Sequence, residues 1–317
     1  MKSAAQTAYE KVKKSLLMAP GMVEESERRL LFKAAFNCRL PVVEFGAFFG
    51  ASTLALAHGL SASETKPFPL TCIDAFEVRT DHSFHKHVIS YARRCKAEKL
   101  LRTDGERTNW LEITKAVLGN KIENVRLIKG IVNNNFDMTL LPETIGLLHL
   151  DLPKDAKTIQ PILKGAFPKL SKGSIIAFQD YAYQFSNELI SLFELLEQLG
   201  YIKAVNIAAS SMFFEVQNDY SLSPENLDSI LQKAVDNQTN LIQNAIQKYK
   251  NYQTSRPQEI IALYSAAIRA TTAEKKSSKF QQQHHIRTLI KQIFAIDGER
   301  AAFTLAELLT ETLETHT

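Results

Sequence analysis

Residues 42–57 have the sequence Val42-Val43-Glu44-Phe45-Gly46-Ala47-Phe48-Phe49-Gly50-Ala51-Ser52-Thr53-Leu54-Ala55-Leu56-Ala57. The apolar and β-branched residues before Gly46 are typical of a short strand that is covered on both faces. Leu54 to Ala57 have high helix propensity, and Gly46 and Gly50 permit a sharp turn whose backbone can approach a ligand closely. A helix that begins after Gly50 directs its free N–H groups toward an anionic group such as a carboxylate. The segment therefore predicts a strand, a glycine turn and a helix around a ligand.

The spacing of the glycines narrows the class of ligand. A dinucleotide-binding turn has the pattern Gly-x-Gly-x-x-Gly, with an acidic residue about 20 positions later. Here the pattern is Glu-x-Gly-x-x-x-Gly from Glu44 to Gly50, and the next predicted strand, from Pro69, ends on the acid Asp74. The third glycine is missing, so a dinucleotide site is disfavoured. An ordinary strand-turn-helix of another α/β protein is an alternative at this point.

This arrangement resembles the first two motifs of class I S-adenosylmethionine (SAM) methyltransferases. The resemblance implies that Glu44 helps to orient the methionine amine and that the turn from Gly46 to Gly50 passes the methionine moiety. It also implies that Asp74 accepts hydrogen bonds from the ribose hydroxyls. The cofactor-binding residues implied in this way are Glu44, Gly46, Ala47, Gly50, Ser52, Thr53, Asp74, Ala75, Gly130 and Ile131.

The rest of the chain up to residue 216 predicts strands that alternate with helices. Further strands are predicted over Val125–Gly130, Ile145–Asp151 and Ser174–Asp180, with a crossover helix over Ala156–Leu170, a turn over Ser171–Gly173 and an amphipathic helix over Asn187–Leu199. Tyr201–Asn206 and Ser211–Val216 are too close in sequence to be joined in parallel and must form an antiparallel pair. The sequence therefore predicts an α/β, Rossmann-like class I methyltransferase fold, with a seven-stranded, mostly parallel sheet and a C-terminal antiparallel hairpin.

Four regions are predicted: N-terminal helices over 1–39, a SAM-binding methyltransferase domain over 40–216, a lid-like insertion over 75–124 within it, and a helical extension over 217–317. The insertion is rich in His, Lys and Arg and predicts one or two helices over the site, with a solvated basic helix as the alternative. In the extension, apolar residues from Pro224 to Tyr249 form a helical stripe. Further helices are predicted from near Pro257, over Ile286–Phe294 and over Ala301–Leu313. Their apolar stripes need a partner surface, either the catalytic domain or another copy of the chain.

Within the class, residues from about 20 to 216 are similar to the macrocin O-methyltransferase-like branch, whose members methylate sugar hydroxyls of natural products. The branch usually holds a divalent cation with an Asp-Gly-Asp motif after the fourth strand and an Asp-Asp-Tyr motif after the fifth. Here Asp151-Leu152-Pro153 and Gln179-Asp180-Tyr181 keep one acid each. The resemblance implies Asp151 and Asp180 as metal ligands. Two carboxylates can still bind Mg²⁺ with waters in the remaining positions, although such a site would be weaker.

Methyl transfer to an alcohol requires a base within hydrogen-bond reach of the hydroxyl proton. Asp151, Asp180 and His82 are the candidate catalytic residues, and His85 is a second imidazole in the insertion. An imidazole has an ordinary pKa near 6.5, which suits proton abstraction. Each candidate also has a structural alternative, because either carboxylate can cap a loop and either histidine can lie on the surface.

Composition excludes several classes of protein. Hydrophobic content of 45% and charged content of 23% are those of a soluble globular protein, and a net charge of +4 does not imply a nucleic-acid partner. The three cysteines lack Cys-x-x-Cys spacing, which is typical of reduced thiols in a cytoplasmic protein. No apolar stretch is long enough for a signal peptide or a membrane span. We expect a cytoplasmic protein that acts on a small molecule and forms a homo-oligomer through its helices.

The predicted function is SAM-dependent O-methylation of a small hydroxylated metabolite, such as a sugar or glycosylated natural product. The missing second acids and the long extension motivate an alternative, a catalytically impaired binding or scaffold protein with the methyltransferase fold. A nucleic-acid methyltransferase is a third class, disfavoured because there is no Asn-Pro-Pro-aromatic signature and no basic stripe with interleaved aromatic residues.

Overall fold

The computed structural model describes residues 3–63, 69–153, 156–218, 224–252, 256–273 and 279–297. By its internal contacts the chain divides into two compact units. The first comprises residues 1–153 and 160–178, and the second comprises residues 154–159 and 179–317. Within the described ranges, no helix combines the length and apolar character that a membrane crossing requires.

The elements alternate along the chain much as the sequence predicts. The helices are α1 (Ala4–Met18), α2 (Glu25–Asn37), α3 (Ala51–Ala62), α4 (Ser83–Arg94), α5 (Leu111–Leu118), α6 (Ala156–Gly165), α7 (Asn187–Gln198), α8 (Pro224–Asp236), α9 (Gln238–Asn251), α10 (Pro257–Ala273) and α11 (Lys279–Ile296). The strands are β1 (Val42–Phe45), β2 (Leu70–Asp74), β3 (Glu77–Arg79), β4 (Arg102–Thr103), β5 (Arg107–Asn109), β6 (Val125–Lys129), β7 (Ile145–Leu150), β8 (Leu170–Phe178), β9 (Ile202–Ala208) and β10 (Ser211–Val216).

The main sheet has seven strands in the order β6-β2-β1-β7-β8-β10-β9. Strand β1 pairs in parallel with β2 and β7, β2 pairs in parallel with β6, and β9 and β10 form an antiparallel hairpin. All residues of β1, β2 and β7 are buried, as expected of strands covered on both faces. The predicted fold class, a mostly parallel sheet with a C-terminal hairpin and additional helices, is confirmed.

The start of β8 corrects one prediction. The helix expected to reach Leu170 ends at Gly165, and the predicted turn over 171–173 lies inside β8. Across β7 and β8 the register moves from Ile145↔Leu170 to Leu147↔Ile175, so the strand bulges at these residues. Gly173 has a φ of +86°, a value that glycine adopts without the strain of a side chain. The Ser171-Lys172-Gly173 segment does interrupt the regular structure, but it forms a bulge within β8 instead of a turn before the strand.

The N-terminal helices are joined by a short linker that one buried arginine holds. Arg28 of α2 donates from Nε to the carbonyl of Val23 at 2.8 Å and from Nη1 to the carbonyl of Ala19 at 3.0 Å. Its Nη1 also donates to the carbonyl of Leu16. The bonds to Leu16 and Ala19 satisfy carbonyls at the end of α1, and the bond to Val23 holds the linker.

The insertion over 75–124 contains helices α4 and α5, as predicted, but also a small antiparallel sheet in the order β3-β5-β4. The sequence did not indicate this sheet because its strands are two or three residues long and largely polar. Such segments show neither the length nor the alternation on which strand prediction depends.

The helical extension belongs to the second unit. The predicted stripe from Pro224 to Tyr249 forms two helices, α8 and α9, which are interrupted at Asn237. Helix α9 packs against α7 and α10 within this unit. The sequence predicts that the extension packs either on the catalytic domain or on another copy of the chain. The first kind of contact is found, because α7 lies within the predicted 40–216 region. The helix predicted over residues 301–313 lies outside the described residues.

Candidate functional site

The glycine turn has the backbone conformation that its sequence predicts. Gly46 and Gly50 have φ values of +90° and +91°, and Phe48 between them has a φ of +47°. Gly46 donates its N–H to the carbonyl of Ile73 at 2.8 Å, and a methyl group built at Gly46 would overlap the carbonyl oxygen of Asp151. Only glycine allows the turn to approach the end of β7 this closely.

Asp74, at the end of β2, holds the turn through its carboxylate. Its Oδ2 accepts hydrogen bonds from the N–H groups of Ala47 at 2.8 Å and Phe48 at 2.9 Å, and its Oδ1 accepts one from Phe76 at 2.5 Å. Burial raises the pKa of Asp74 to about 6, although these backbone bonds oppose the shift. The carboxylate is therefore buried against the turn and titrates near neutral pH.

A second buried carboxylate, Glu44, lies below the turn in β1. It accepts a hydrogen bond from Thr53 Oγ1 at 2.5 Å and one from Cys72 Sγ at 3.2 Å, and it pairs with His149 Nδ1 at 3.0 Å. The sheet register explains this cluster, because Glu44 lies opposite Cys72 on β2 and opposite His149 on β7. Burial, together with the nearby Glu44 carboxylate, raises the pKa of Cys72 well above its usual value, so this thiol stays protonated.

Aromatic side chains of the insertion pack on the turn. The ring of Phe48 stacks on Phe49, with the centroids 4.1 Å apart. It also contacts Phe84 at 5.6 Å and Tyr91 and Trp110, each at 5.8 Å. Trp110 is 4% exposed, so it has the core-packing role that is the commoner fate of tryptophan. The insertion thus packs on one side of the glycine turn, and its role as a lid stays a prediction.

Comparison with known proteins agrees with this geometry. Residues 43–181 match a family described as a methyltransferase domain. These residues form a class I SAM-dependent methyltransferase domain. The class prediction is confirmed, whereas the narrower macrocin-like branch stays a prediction.

Solved structures resemble the chain more distantly, and no curated relative matches it. The O-methyltransferase NovP is 14% identical with a TM-score of 0.47, covering 68% of this chain and 95% of its own. CalS11, a TDP-rhamnose 3'-O-methyltransferase, is 16% identical with a TM-score of 0.40, covering 68% and 96%. An O-methyltransferase from Bacillus cereus in complex with SAH is 12% identical with a TM-score of 0.39, covering 69% and 92%. At this level of likeness, no activity follows from these structures.

The methyltransferase domain brings several predicted cofactor residues together. Gly130 donates its N–H to the carbonyl of Asp74 at 2.9 Å, which joins the ends of β2 and β6 beside the turn. Ala75 is half-buried at the same edge, and the side chain of Ile131 is 61% exposed. Ile131 follows β6 at the carboxyl edge of the sheet, where open α/β sheets bind ligands, and its role in cofactor binding stays a prediction.

The donor set at the turn fits SAM in two respects. Helix α3 begins at Ala51, so the first N–H groups of the helix, including those of Ser52 and Thr53, have no partner within it and favour a carboxylate. Gly50, in the left-handed conformation, lies against α5, because a Cβ built there would be 3.2 Å from Thr114 Cγ2. The second respect is Asp74, which is 7% exposed and already accepts three backbone N–H groups, so that its carboxylate has room for about one further donor such as a ribose hydroxyl.

Glu44 is the predicted cofactor residue whose position is least expected. It is fully buried, and three side chains already contact its carboxylate. A direct contact with the methionine amine would require one of those neighbours to move, and this role stays a prediction. Sequence reasoning missed its partner His149. The sequence does contain a signal for this contact. Glu44 lies two residues before the turn at Gly46, and His149 lies two residues before Asp151, so both occupy the same position near the end of a predicted parallel strand.

The candidate catalytic residues have different surroundings. Asp151, at the exit of β7 in the first unit, is half-buried. Asp180, in the second unit, has a φ of +55° and accepts a hydrogen bond from Ser210 Oγ at 3.1 Å. His82 is exposed, and its Nδ1 accepts the N–H of Phe84 at 3.1 Å as the N-cap of α4.

Among the residues that the structure describes, no group of three or more His, Cys, Asp or Glu side chains could hold a metal ion. Gln179, which stands where the resemblance expects an acid, is 3% exposed, and its Oε1 has no hydrogen-bond partner. A cation at Asp151 and Asp180 stays a prediction.

Proposed function

We propose that this protein is a SAM-dependent O-methyltransferase that acts on a small hydroxylated molecule, such as a sugar or a glycosylated natural product. The glycine turn braced by Asp74, within a methyltransferase domain, is the observation that supports it most directly. The class of acceptor rests on the resemblance to the macrocin-like branch. A cytoplasmic location and a homo-oligomeric state are parts of the same proposal.

In the proposed reaction, different residues bind SAM and remove the proton of the acceptor. SAM supplies a methyl group already activated by its sulfonium, so the protein must orient donor and acceptor and remove one proton. The turn and the first N–H groups of α3 bind the methionine end, and Asp74 binds the ribose. Asp151 and Asp180 are the candidate bases for the acceptor hydroxyl, with His82 as a third candidate. A carboxylate serves as base only where the hydroxyl proton lies within hydrogen-bond reach.

Isothermal titration with SAM and S-adenosylhomocysteine tests the first half of the proposal. We expect both to bind the wild-type protein and Asp74→Ala to lose binding. Asp137→Ala is the matched control, because Asp137 is an exposed aspartate that likewise accepts a backbone N–H, that of Thr139 at 3.0 Å. Absence of heat with both ligands at high micromolar concentration would reject the proposal.

Transfer itself is tested by mass spectrometry against a panel of sugars, nucleotide sugars and glycosides. We expect a gain of one methyl group on at least one acceptor, and loss of turnover in Asp151→Ala or Asp180→Ala with SAM binding retained. Prior treatment with EDTA, followed by Mg²⁺, tests the cation. Restoration by Mg²⁺ would support a metal held by these two aspartates, and full activity in EDTA would exclude it.

The alternative function, a binding or scaffold protein without transfer, is favoured by one feature. Gln179 occupies the position of an expected acid, and Leu152-Pro153 replaces the rest of the other acidic motif. This alternative predicts that SAM binds while no acceptor in the panel is methylated. Turnover that depends on Asp151 would exclude it.

A further inference from the structure

The segment that follows β8, residues 179–187, has a strained backbone at its start. We call this segment the 180 loop. Asp180 has a φ of +55°, a region that residues other than glycine adopt infrequently and only when their surroundings hold them there. The carbonyl of Asp180 accepts a hydrogen bond from Ser186 Oγ at 2.9 Å, and its Oδ1 accepts one from Ser210 Oγ at 3.1 Å. Ser210 is therefore one of the groups that orient this carboxylate.

Helix α9 of the extension contacts the residues that hold Asp180. Tyr249 donates its hydroxyl to the carbonyl of Ser210 at 3.3 Å, and the same carbonyl accepts the N–H of Ala182 at 2.9 Å. The rings of Tyr181 and Tyr249 stack with their centroids 6.1 Å apart and their planes 5° from parallel. Ser210 thus connects the Asp180 carboxylate with a side chain of the extension.

A buried ion pair fixes the other side of Tyr181. The Tyr181 hydroxyl donates to Glu194 of α7, and Lys248 of α9 donates to Glu194 at 2.6 Å and also to Glu197. Burial and the Glu194 carboxylate raise the pKa of Tyr181 well above its usual value, so the phenol remains a donor. Lys248 is the cation that the described residues place beside this buried carboxylate, and its removal would weaken the bond to Tyr181.

Two further contacts join the extension to the far end of the 180 loop. Asn187 donates from Nδ2 to Gln238 Oε1 of α9 at 3.3 Å. The guanidinium of Arg269, on α10, lies 4.5 Å from the ring centroid of Phe185. Contacts from two helices of the extension therefore reach both ends of the loop.

We propose that the helical extension is the positioning element for Asp180, with Tyr249 and Lys248 as positioning residues. They hold the left-handed backbone of Asp180 through Ser210 and Tyr181, and so fix where its carboxylate points. The catalytic consequence rests on the proposed function, in which Asp180 acts on the acceptor. The control of the 180 loop by the extension does not depend on that function.

The first test measures the loop itself by hydrogen–deuterium exchange of the full chain. Tyr249→Phe removes the hydroxyl and keeps the stacked ring, and Lys248→Met removes the cation. We expect amides of 179–187 to exchange about tenfold faster in both variants, as for the loss of one hydrogen bond, and peptides covering 44–53 to remain unchanged.

The matched controls are Tyr264→Phe and Lys250→Met. Tyr264 is a buried tyrosine of the extension, and its hydroxyl accepts a hydrogen bond from Lys250 Nζ at 2.6 Å. Both controls are expected to leave exchange in 179–187 unchanged. Equal exchange in the wild type and both test variants, or an equal rise in the controls, would overturn the proposal.

The second test separates positioning from general stability. With the acceptor found in the panel, Tyr249→Phe should lower kcat about tenfold while the Kd for SAM changes less than twofold. An unchanged kcat beside faster loop exchange would overturn the catalytic consequence. Failure of the wild type to bind SAM would instead refute the proposed function, and the exchange result would still decide the role of the extension.

Discussion

The proposed contact between Asp74 and the ribose predicts that the affinity for the nucleoside part of SAM depends on pH. Burial raises the pKa of Asp74 from 3.8 to about 6, which means that folding disfavours the ionised form relative to the protonated form by roughly 3 kcal/mol. Three backbone N–H groups already occupy acceptor positions of the ionised carboxylate, which leaves about one for a hydroxyl donor, and protonation removes an acceptor position. If only the ionised form binds, affinity is nearly constant above pH 7 and falls about tenfold between pH 8 and pH 5.

The best probe is 5'-methylthioadenosine, because it keeps the adenine and ribose but lacks the titrating amine and carboxylate of SAM. Isothermal titration at pH 5, 6, 7 and 8 gives the affinity at each pH, and circular dichroism confirms that the protein stays folded. Asp74→Asn removes the titrating group, so its weaker affinity should not vary with pH. A pH dependence that persists in this variant would show that it does not arise from Asp74.

The effect of the same group on stability has the opposite sign. Because the pKa of Asp74 is raised on folding, the native state binds its proton first as the pH falls. As the pH falls from about 7 to about 4, this group should therefore increase the stability of the folded protein, while the affinity for the nucleoside decreases.

A wild-type affinity that differs less than twofold between pH 5 and pH 8 would refute the assigned contact between Asp74 and the ribose.

Two further predictions concern the residues around the turn and the linker. Gly46→Ala should lower the free energy of unfolding by about 3 kcal/mol or more, since backbone strain adds to overlap with Asp151, whereas Gly173→Ala, with a similar φ and nothing within 4 Å, should lose about 1 kcal/mol. If urea unfolding gave both glycine variants the same loss in free energy of unfolding, the predicted overlap with Asp151 would be contradicted. Arg28→Met should cost about 2–4 kcal/mol because it removes three hydrogen bonds to buried carbonyls, and the exposed Arg29→Met should change stability by less than about 0.5 kcal/mol. Similar thermal midpoints for these two variants would show that the carbonyls find other partners.

The parts of the fold that the sequence predicted correctly depend on local signals. The glycine turn, the strands that end on Asp74 and near Asp151, and the hairpin before residue 216 follow from short-range periodicity and glycine placement. The small sheet of the insertion was missed because β4 has only two residues. The sequence predicts a turn where β8 bulges, because a glycine such as Gly173 is typical of both.

The chemistry around the site was harder to predict because its partners are distant in sequence. Glu44 and His149 are 105 residues apart, and Lys248 and Glu194 are 54 apart. Each pair forms only once the strand order or helix packing is known. A carboxylate in a motif was therefore recognised from the sequence, but its burial and its partners were not. The raised pKa of Asp74 follows from that burial.

The boundary between the methyltransferase domain and the extension does not separate independent structures. A cut after residue 216 would remove Lys248 from the buried Glu194 and Tyr249 from Ser210. An uncompensated buried carboxylate would remain next to the Tyr181 hydroxyl, and a buried charge without its partner destabilises a fold by several kcal/mol. The compact unit that contains Asp180 also contains α8 to α11, so the surroundings of this acid are built largely by residues beyond the family match. Whatever acceptor the domain uses, its acid at residue 180 is oriented by helices that the family motif does not include.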